Sequence, residues 1–107
     1  MANTYKNAKV DLTTTNATTV LTTPVGSTNI IKSMLVSEDS GNADTITLTI
    51  TDTDNAVFSL FKVKAVSANT TVELLTQPLV LQDSEILKAT AATANRLHLV
   101  VSYLEIS

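Results

Sequence analysis

The segment Asp44-Thr45-Ile46-Thr47-Leu48-Thr49-Ile50-Thr51 alternates apolar and polar residues without a break. In an extended chain, successive side chains point to opposite faces. Ile46, Leu48 and Ile50 therefore share one face, and Thr45, Thr47, Thr49 and Thr51 share the other. Threonine suits the wet face, because its branched Cβ fits a pleated surface while its hydroxyl meets water. A strand with one buried face needs a sheet and a second layer over that face. The supply of β-branched residues extends this reading to the whole chain, with 19 threonines and 11 valines among 107 residues.

The longest such segment runs from Arg96 to Ile106. Leu97, Leu99, Val101 and Tyr103 form one face, and His98, Val100, Ser102, Leu104 and Ile106 form the other, which is partly apolar. A strand of this kind is central in a sandwich or is covered by a neighbour. Further strands are expected over residues 9–15, 18–22, 29–38, 57–63, 70–75 and 86–91. On strict alternation within 29–38, Ile31, Ser33, Leu35 and Ser37 oppose Ile30, Lys32, Met34 and Val36. Turn residues separate these segments: Pro24-Val25-Gly26-Ser27, Asp39-Ser40-Gly41-Asn42, Asp52-Thr53-Asp54-Asn55, Ser67-Ala68-Asn69, Gln77-Pro78 and Gln82-Asp83-Ser84. The alanine-rich stretch 88–95 lacks a helical apolar stripe and reads as strand end plus loop. About eight short antiparallel strands predict an all-β, two-sheet sandwich, with a jelly roll as the expected connectivity. An immunoglobulin-type sandwich is the rival, and the lack of tryptophan and of a cysteine pair weighs against it.

The chain reads as a single domain over residues 1–107, with no linker or internal repeat. Charged residues are 16% and hydrophobic ones 44%, too few charges and too much apolar surface for disorder. A net charge of −3 argues against a nucleic-acid groove. The absence of cysteine excludes disulfides and thiolate zinc sites. The apolar runs are short, Pro78 to Leu81 for example, whereas a membrane-spanning helix needs roughly 20 residues, so no membrane partner is expected. Residues 1–7 carry no apolar signal-peptide core. Asn16-Ala17-Thr18 and Asn69-Thr70-Thr71 match the glycosylation pattern, as chance allows in so threonine-rich a chain.

Catalytic material is sparse. His98 is the sole histidine and sits mid-strand with no positioning motif around it. Asp52-Thr53-Asp54-Asn55 begins like a calcium loop, but Val57 and Val63 stand where that loop requires Gly and Glu. Asp83-Ser84-Glu85 offers two carboxylates without a sugar-stacking aromatic, and Gly26 and Gly41 alone make no phosphate loop. No catalytic residue, cofactor or metal ligand is assigned. Lys62 and Lys64, read as sharing a strand face, would keep an edge strand from mispairing or would meet an acidic partner. The polar segment 1–8 is either a frayed end or an extended arm laid against a partner.

Three stretches carry a resemblance: Tyr5 to Leu12; Phe58-Ser59-Leu60-Phe61-Lys62; and Ile86 to Ala91 leading to Asn95-Arg96-Leu97-His98 and Ser102 to Ile106. Together they make the chain similar to small virion structural proteins of tailed bacteriophages, over nearly its whole length. The resemblance implies a non-enzymatic particle component, made in the host cytoplasm and located in the virion. Its first expectation is a capsid decoration, or cement, protein on the capsid surface. Such a protein is commonly a homotrimer bound to the major capsid protein. Its second expectation is a neck, tail or fibre component. Partner contacts are expected at Tyr5, Lys6 and Lys9 in the N-terminal segment and at Leu104 and Ile106 on the last strand.

Overall fold

The computed structural model describes residues 2–107. Their chain forms nine strands and no helix: β1 (Asn3–Leu12), β2 (Thr18–Thr22), β3 (Thr28–Glu38), β4 (Asp44–Thr51), β5 (Val57–Val66), β6 (Thr71–Glu73), β7 (Leu79–Leu81), β8 (Ile86–Ala91) and β9 (Leu97–Ile106). One sheet, here sheet A, has the order β1-β9-β3-β6, with β7 also pairing β3. Sheet B has the order β2-β8-β4-β5. Every pairing is antiparallel. Pairs in the ladder are nested along the chain: β1 with β9, β2 with β8, β3 with β6 and β7, and β4 with β5.

The two sheets close on an aliphatic core. Leu12, Ile31, Met34, Val36, Ile46, Leu48, Leu81, Leu87, Leu97, Leu99 and Val101 are all fully buried. The alternation in β4 holds through Thr49, with Ile46 and Leu48 inside and Thr45, Thr47 and Thr49 half-buried outside, but Ile50 is only half-buried and Thr51, expected on the wet face, is buried between its partners Val57 and Ile86. The alternation in β9 also holds: Leu97, Leu99, Val101 and Tyr103 face the core. β9 lies centrally in sheet A, between β1 and β3, and its other face carries no third layer of this chain.

The strand expected over 57–63 extends to Val66, and three further expectations about strands differ from the structure. The first strand spans Asn3–Leu12 instead of 9–15, and residues 3–8 are not a free arm: Asn3 through Ala8 pair with Ile106 through Val101. This pairing takes up the backbone groups of a segment whose polar side chains only needed an exposed edge. (Met1 lies outside the described residues.) Second, Leu79–Leu81 is a strand, because Leu79 and Leu81 turn inward while Val80 faces out, and β3 has ladder positions free for it beyond β6. The strand expected over 70–75 shortens correspondingly to Thr71–Glu73. Third, β3 does not alternate strictly. A bulge at Lys32 shifts its register on β9, and the inward set becomes Asn29, Ile31, Met34, Val36 and Glu38. One extra residue moves every later side chain to the opposite face.

Bulges recur. Val20 is the extra residue of β2, and both Val20 and Leu21 are buried. In β5, Leu60 is inserted opposite β4, so Leu60 and Phe61 both pack on the core. A second insertion lies at Val63, whose φ of 54° is left-handed and whose amide donates to Thr47 Oγ1 at 3.0 Å. It interrupts the simple alternation assumed between Lys62 and Lys64.

Candidate functional site

The ladder registers place the outward residues of sheet A in rows that cross the strands. Tyr5, Leu104, Ile30 and Val80 are successive partners across β1, β9, β3 and β7. They form a continuous apolar row, at whose ends Tyr5 is 76% and Val80 50% exposed. Ile106 flanks this row between Asn3 and Thr28. Next to it lies a row of small polar residues, Asn7, Ser102 and Ser33. Beyond that come Lys9, Val100, Leu35 and Glu73, and then Asp11, His98, Ser37 and Thr71. The outer face of sheet A is therefore banded, with apolar rows on both sides of a low polar one. A shallow depression of about 410 Å³ sits where Ser102 is flanked by Tyr5, Asn7 and Lys32.

The outer face of sheet B has a different chemistry. Its rows pair Thr47 with Thr90, Thr49 with Lys88 and Thr51 with Ile86, and Thr19 and Thr22 continue them on β2. Hydroxyls and a lysine dominate it. Its edge strand β5 carries the exposed side chains Val57, Phe58 and Val63.

Charged groups on sheet A divide into engaged and unengaged ones. Lys6 Nζ donates to Glu105 Oε2 at 2.9 Å, and this bond together with the carboxylate charge raises the lysine pKa. The pair sits on the inward-facing side of its strands at an end of the sandwich, diagonal across the β1–β9 ladder. Glu73 accepts from Ser33 Oγ, from the Met34 amide at 2.7 Å and from the Leu75 amide at 3.3 Å. Burial pushes its pKa up, but these bonds outweigh burial and the net direction is down. Lys9 and Lys32 form no ion pair among the described residues.

His98 lies between two carboxylates, with Nε2 3.3 Å from Asp11 Oδ1 and Nδ1 3.6 Å from Asp39 Oδ2. Ser37 is its cross-strand neighbour. A nucleophilic triad needs one ring nitrogen aimed at the hydroxyl and the other at an acid. Here both nitrogens face acids, an arrangement that orients the ring on the surface without activating Ser37.

The remaining acidic motifs bind turns, their own and, for Asp83, also the turn at Gly26. Asp52 Oδ1 accepts from the amides of Asp54 at 2.9 Å and Ala56 at 3.0 Å. Asp83 accepts from Ser84 Oγ at 2.6 Å and from the Gly26 amide at 2.8 Å, and both bonds lower its pKa. Glu85 Oε1 accepts from the Gln82 amide at 2.7 Å. Among the described residues, no three histidine, aspartate or glutamate side chains gather as metal ligands.

Glu38 has the most donors. Its side chain, 1% exposed at the end of β3, accepts from the hydroxyl of Ser40 and from the amides of Ser40, Gly41, Asn42 and Asn69. Burial alone would raise its pKa, but the combined donors lower it to about 2. One carboxylate thus ties the turn after β3 to the turn before β6.

Of the expected contact residues, the structure brings Tyr5, Leu104 and Ile106 onto one surface, with Lys9 two rows away. Lys6 is on the opposite side of β1 in the ladder and is held by Glu105, but it borders the depression together with Tyr5. Sequence reasoning missed Ile30, Val80 and Leu35 as members of this surface, although it places Val100 on the same outward face of the last strand as Leu104 and Ile106. The signal for Val80 was present, since it interrupts a pair of inward leucines. Ile30 was hidden by the bulge at Lys32. No protein-family model matches the chain, and neither the curated proteins nor the solved structures yield a match.

Proposed function

We propose that this chain is a structural component of a tailed-bacteriophage particle, a capsid decoration protein that docks on major capsid subunits and stabilises the head. The observation that carries the reading is the continuous apolar row Tyr5, Leu104, Ile30 and Val80 across the outer face of sheet A, where the rows shared by β2, β8 and β4 of sheet B carry mostly threonine and lysine and the exposed apolar side chains of that sheet are confined to its edge strand β5. A surface of this kind sits on a larger body through the apolar row of sheet A. The nested pairing of strands also supports it, read as a jelly roll whose sixth position is split into β6 and β7, an architecture used by capsid domains. The resemblance of Tyr5 to Leu12, Phe58 to Lys62 and Ser102 to Ile106 to phage virion proteins points the same way.

The role is mechanical and non-enzymatic. Each copy buries area on capsid subunits and lowers the free energy of the closed shell relative to separated subunits. Repeated copies sum their contacts through multivalency. Self-association as a homotrimer belongs to the same reading and would appear in solution as three times the mass of one chain.

Quantitative mass spectrometry of purified particles tests the assignment. A ratio to the major capsid protein corresponding to hundreds of copies, with surface labelling of the intact head, is the expected result. A count equal to a small multiple of the tail symmetry assigns the chain to the neck, tail or fibre instead. Absence from particles overturns both.

A further inference from the structure

We infer that the free edge of β1 pairs with the same edge of a second copy of this chain, joining two A sheets into one across a two-fold axis at Asn7. The inference concerns how copies assemble and is independent of the capsid assignment. In an antiparallel ladder, alternate residues turn their amide and carbonyl towards the neighbouring strand, and the residues between them turn theirs away. Ala2 and Ser107 exchange both bonds, at 3.2 and 3.0 Å, and the β1–β9 register continues from them without a shift. The even-numbered residues of β1 therefore bond β9. Asn3, Tyr5, Asn7, Lys9 and Asp11 point their backbone groups at the open edge, where β1 has no further neighbour. Among the described residues these groups have no partner in the chain, except the Asp11 carbonyl, which accepts from the Thr13 amide at 3.0 Å.

The other edges of the sandwich are interrupted. β2 has five residues and a bulge at Val20, β5 has two insertions, and β6 and β7 are three residues each. Such breaks keep an edge from taking a further strand. β1 has ten residues, an even register and no proline. Lysine also guards edges, but Lys6 is tied to Glu105 of its own chain. One register then makes this edge complementary to itself. Centred on Asn7, it sets Asn3 opposite Asp11 and Tyr5 opposite Lys9 of the second copy, engages all five open residues and brings no like charges face to face. Centring on Lys6 or Lys9 sets a lysine against its own copy, and centring on Tyr5 or Ala8 leaves open residues with no strand to face. The same axis lines up the outer rows of sheet A. The row of Tyr5, Leu104 and Ile30 runs on through Lys9 of the second copy into that copy's Val100 and Leu35.

Sedimentation equilibrium of the purified chain tests the pairing, for wild type and for Asn7→Pro, which removes an amide that points away from β9 and spares the β1–β9 ladder. Wild type should move from the mass of one chain to twice that mass as concentration rises. Asn7→Pro loses both bonds of the central pair and should associate roughly tenfold more weakly, with thermal melting showing the fold intact. The chain has no cysteine, so Asn7→Cys supplies a cross-link without background, and it decides the matter should Asn7→Pro fail to fold. Residues facing each other in a bonded pair lie about 5.5 Å apart at Cα, within reach of a disulfide. Mild oxidation should join Asn7→Cys chains several-fold faster than Lys62→Cys chains, whose thiol lies on β5. Wild type that keeps the mass of one chain at millimolar concentration overturns the inference, as does a folded Asn7→Pro that pairs as tightly, or equal cross-linking at the two positions. Three times the mass of one chain, unaffected by Asn7→Pro, overturns it in favour of the homotrimer. Twice the mass, lost in Asn7→Pro, sets the homotrimer aside and leaves the decoration role to the count of copies in particles.

Discussion

A carboxylate at the end of a strand gives up water only if something replaces it, and at Glu38 the replacement is five donors from two turns. Its pKa of about 2 lies below the ordinary 4.5, so the protonated form is the one the fold disfavours. The stability it contributes is fully present above the ordinary value and is lost as pH falls from there through about 2. Glu73 and Asp83 shift in the same direction and add to the acid sensitivity. Thermal melts should therefore show a falling Tm as pH drops below about 5, and Glu38→Gln should flatten that slope. Glu38→Ala strands four backbone amides and should lower the Tm at neutral pH by on the order of 10 °C. A Tm unchanged in Glu38→Ala would mean that water replaces the carboxylate. Val63 is the opposite case, a β-branched residue held at a φ of 54°. Because its side chain is 61% exposed, little burial is lost on truncation. Val63→Gly relieves a left-handed penalty of about 1–2 kcal/mol, offset in part by glycine's greater unfolded freedom. Urea titration should show a net gain of about 1 kcal/mol or less, and a loss would show that Val63 packs usefully on the β5 edge.

Strands of regular alternation were legible in their faces, and strands with insertions at most in their extent. β9 matched its expected faces residue by residue and β4 did so through Thr49, since a period of two leaves no ambiguity where one face is aliphatic; at the end of β4 the threonine of the wet face, Thr51, is buried. β8 matched in extent for the same reason, and β2 matched in extent although Val20 is inserted and both Val20 and Leu21 are buried. β3 carried an ambiguous sequence, Asn29-Ile30-Ile31-Lys32-Ser33-Met34, in which neither parity was clean. The bulge resolves it by putting Ile31 and Met34 on the same side, three positions apart. Deleting Lys32 places Ile31 and Met34 two positions apart, so Asn29, Ile31, Met34, Val36 and Glu38 keep facing the core in strict alternation and Ile31–Tyr103 and Ser33–Ser102 remain partners. The expected outcome is a cooperative thermal transition retained in circular dichroism, whereas inserting one residue between Met34 and Leu35 should abolish it, because Val36 and Glu38 would then turn outward. Loss of the transition in the deletion would show that the fold needs the local twist of the bulge. The carboxylate turns were partly legible as well: Asp52 stands in a recognisable turn sequence and binds that turn, whereas Asp83, Glu38 and Glu73 take donors in part from distant segments.

At the scale of the molecule, the nested ladder joins residues far apart in sequence: Asn3 opposes Ile106, and Thr18 opposes Ala89. Closing such loops costs entropy before the contacts repay it. Refolding from urea should accordingly take milliseconds to seconds in stopped-flow fluorescence or circular dichroism, the range of non-local β folds. A microsecond phase carrying the whole amplitude would contradict this topology. The same nesting brings the described ends together, where the Ala2 amide donates to the Ser107 carbonyl at 3.2 Å and the Ser107 amide donates back at 3.0 Å. It also assembles the banded face, because Tyr5, Ile30, Val80 and Leu104 meet only once β9 lies between β1 and β3 and β7 joins β3. The amino-acid sequence by itself determined the class of structure, since alternation and β-branching are local properties that any extended segment expresses on its own. Which strands became neighbours, which segments spent a residue on a bulge, and which apolar residues were left facing water were decided by tertiary pairing, because one face of each strand can be read from its period while its companions depend on register across the sheet.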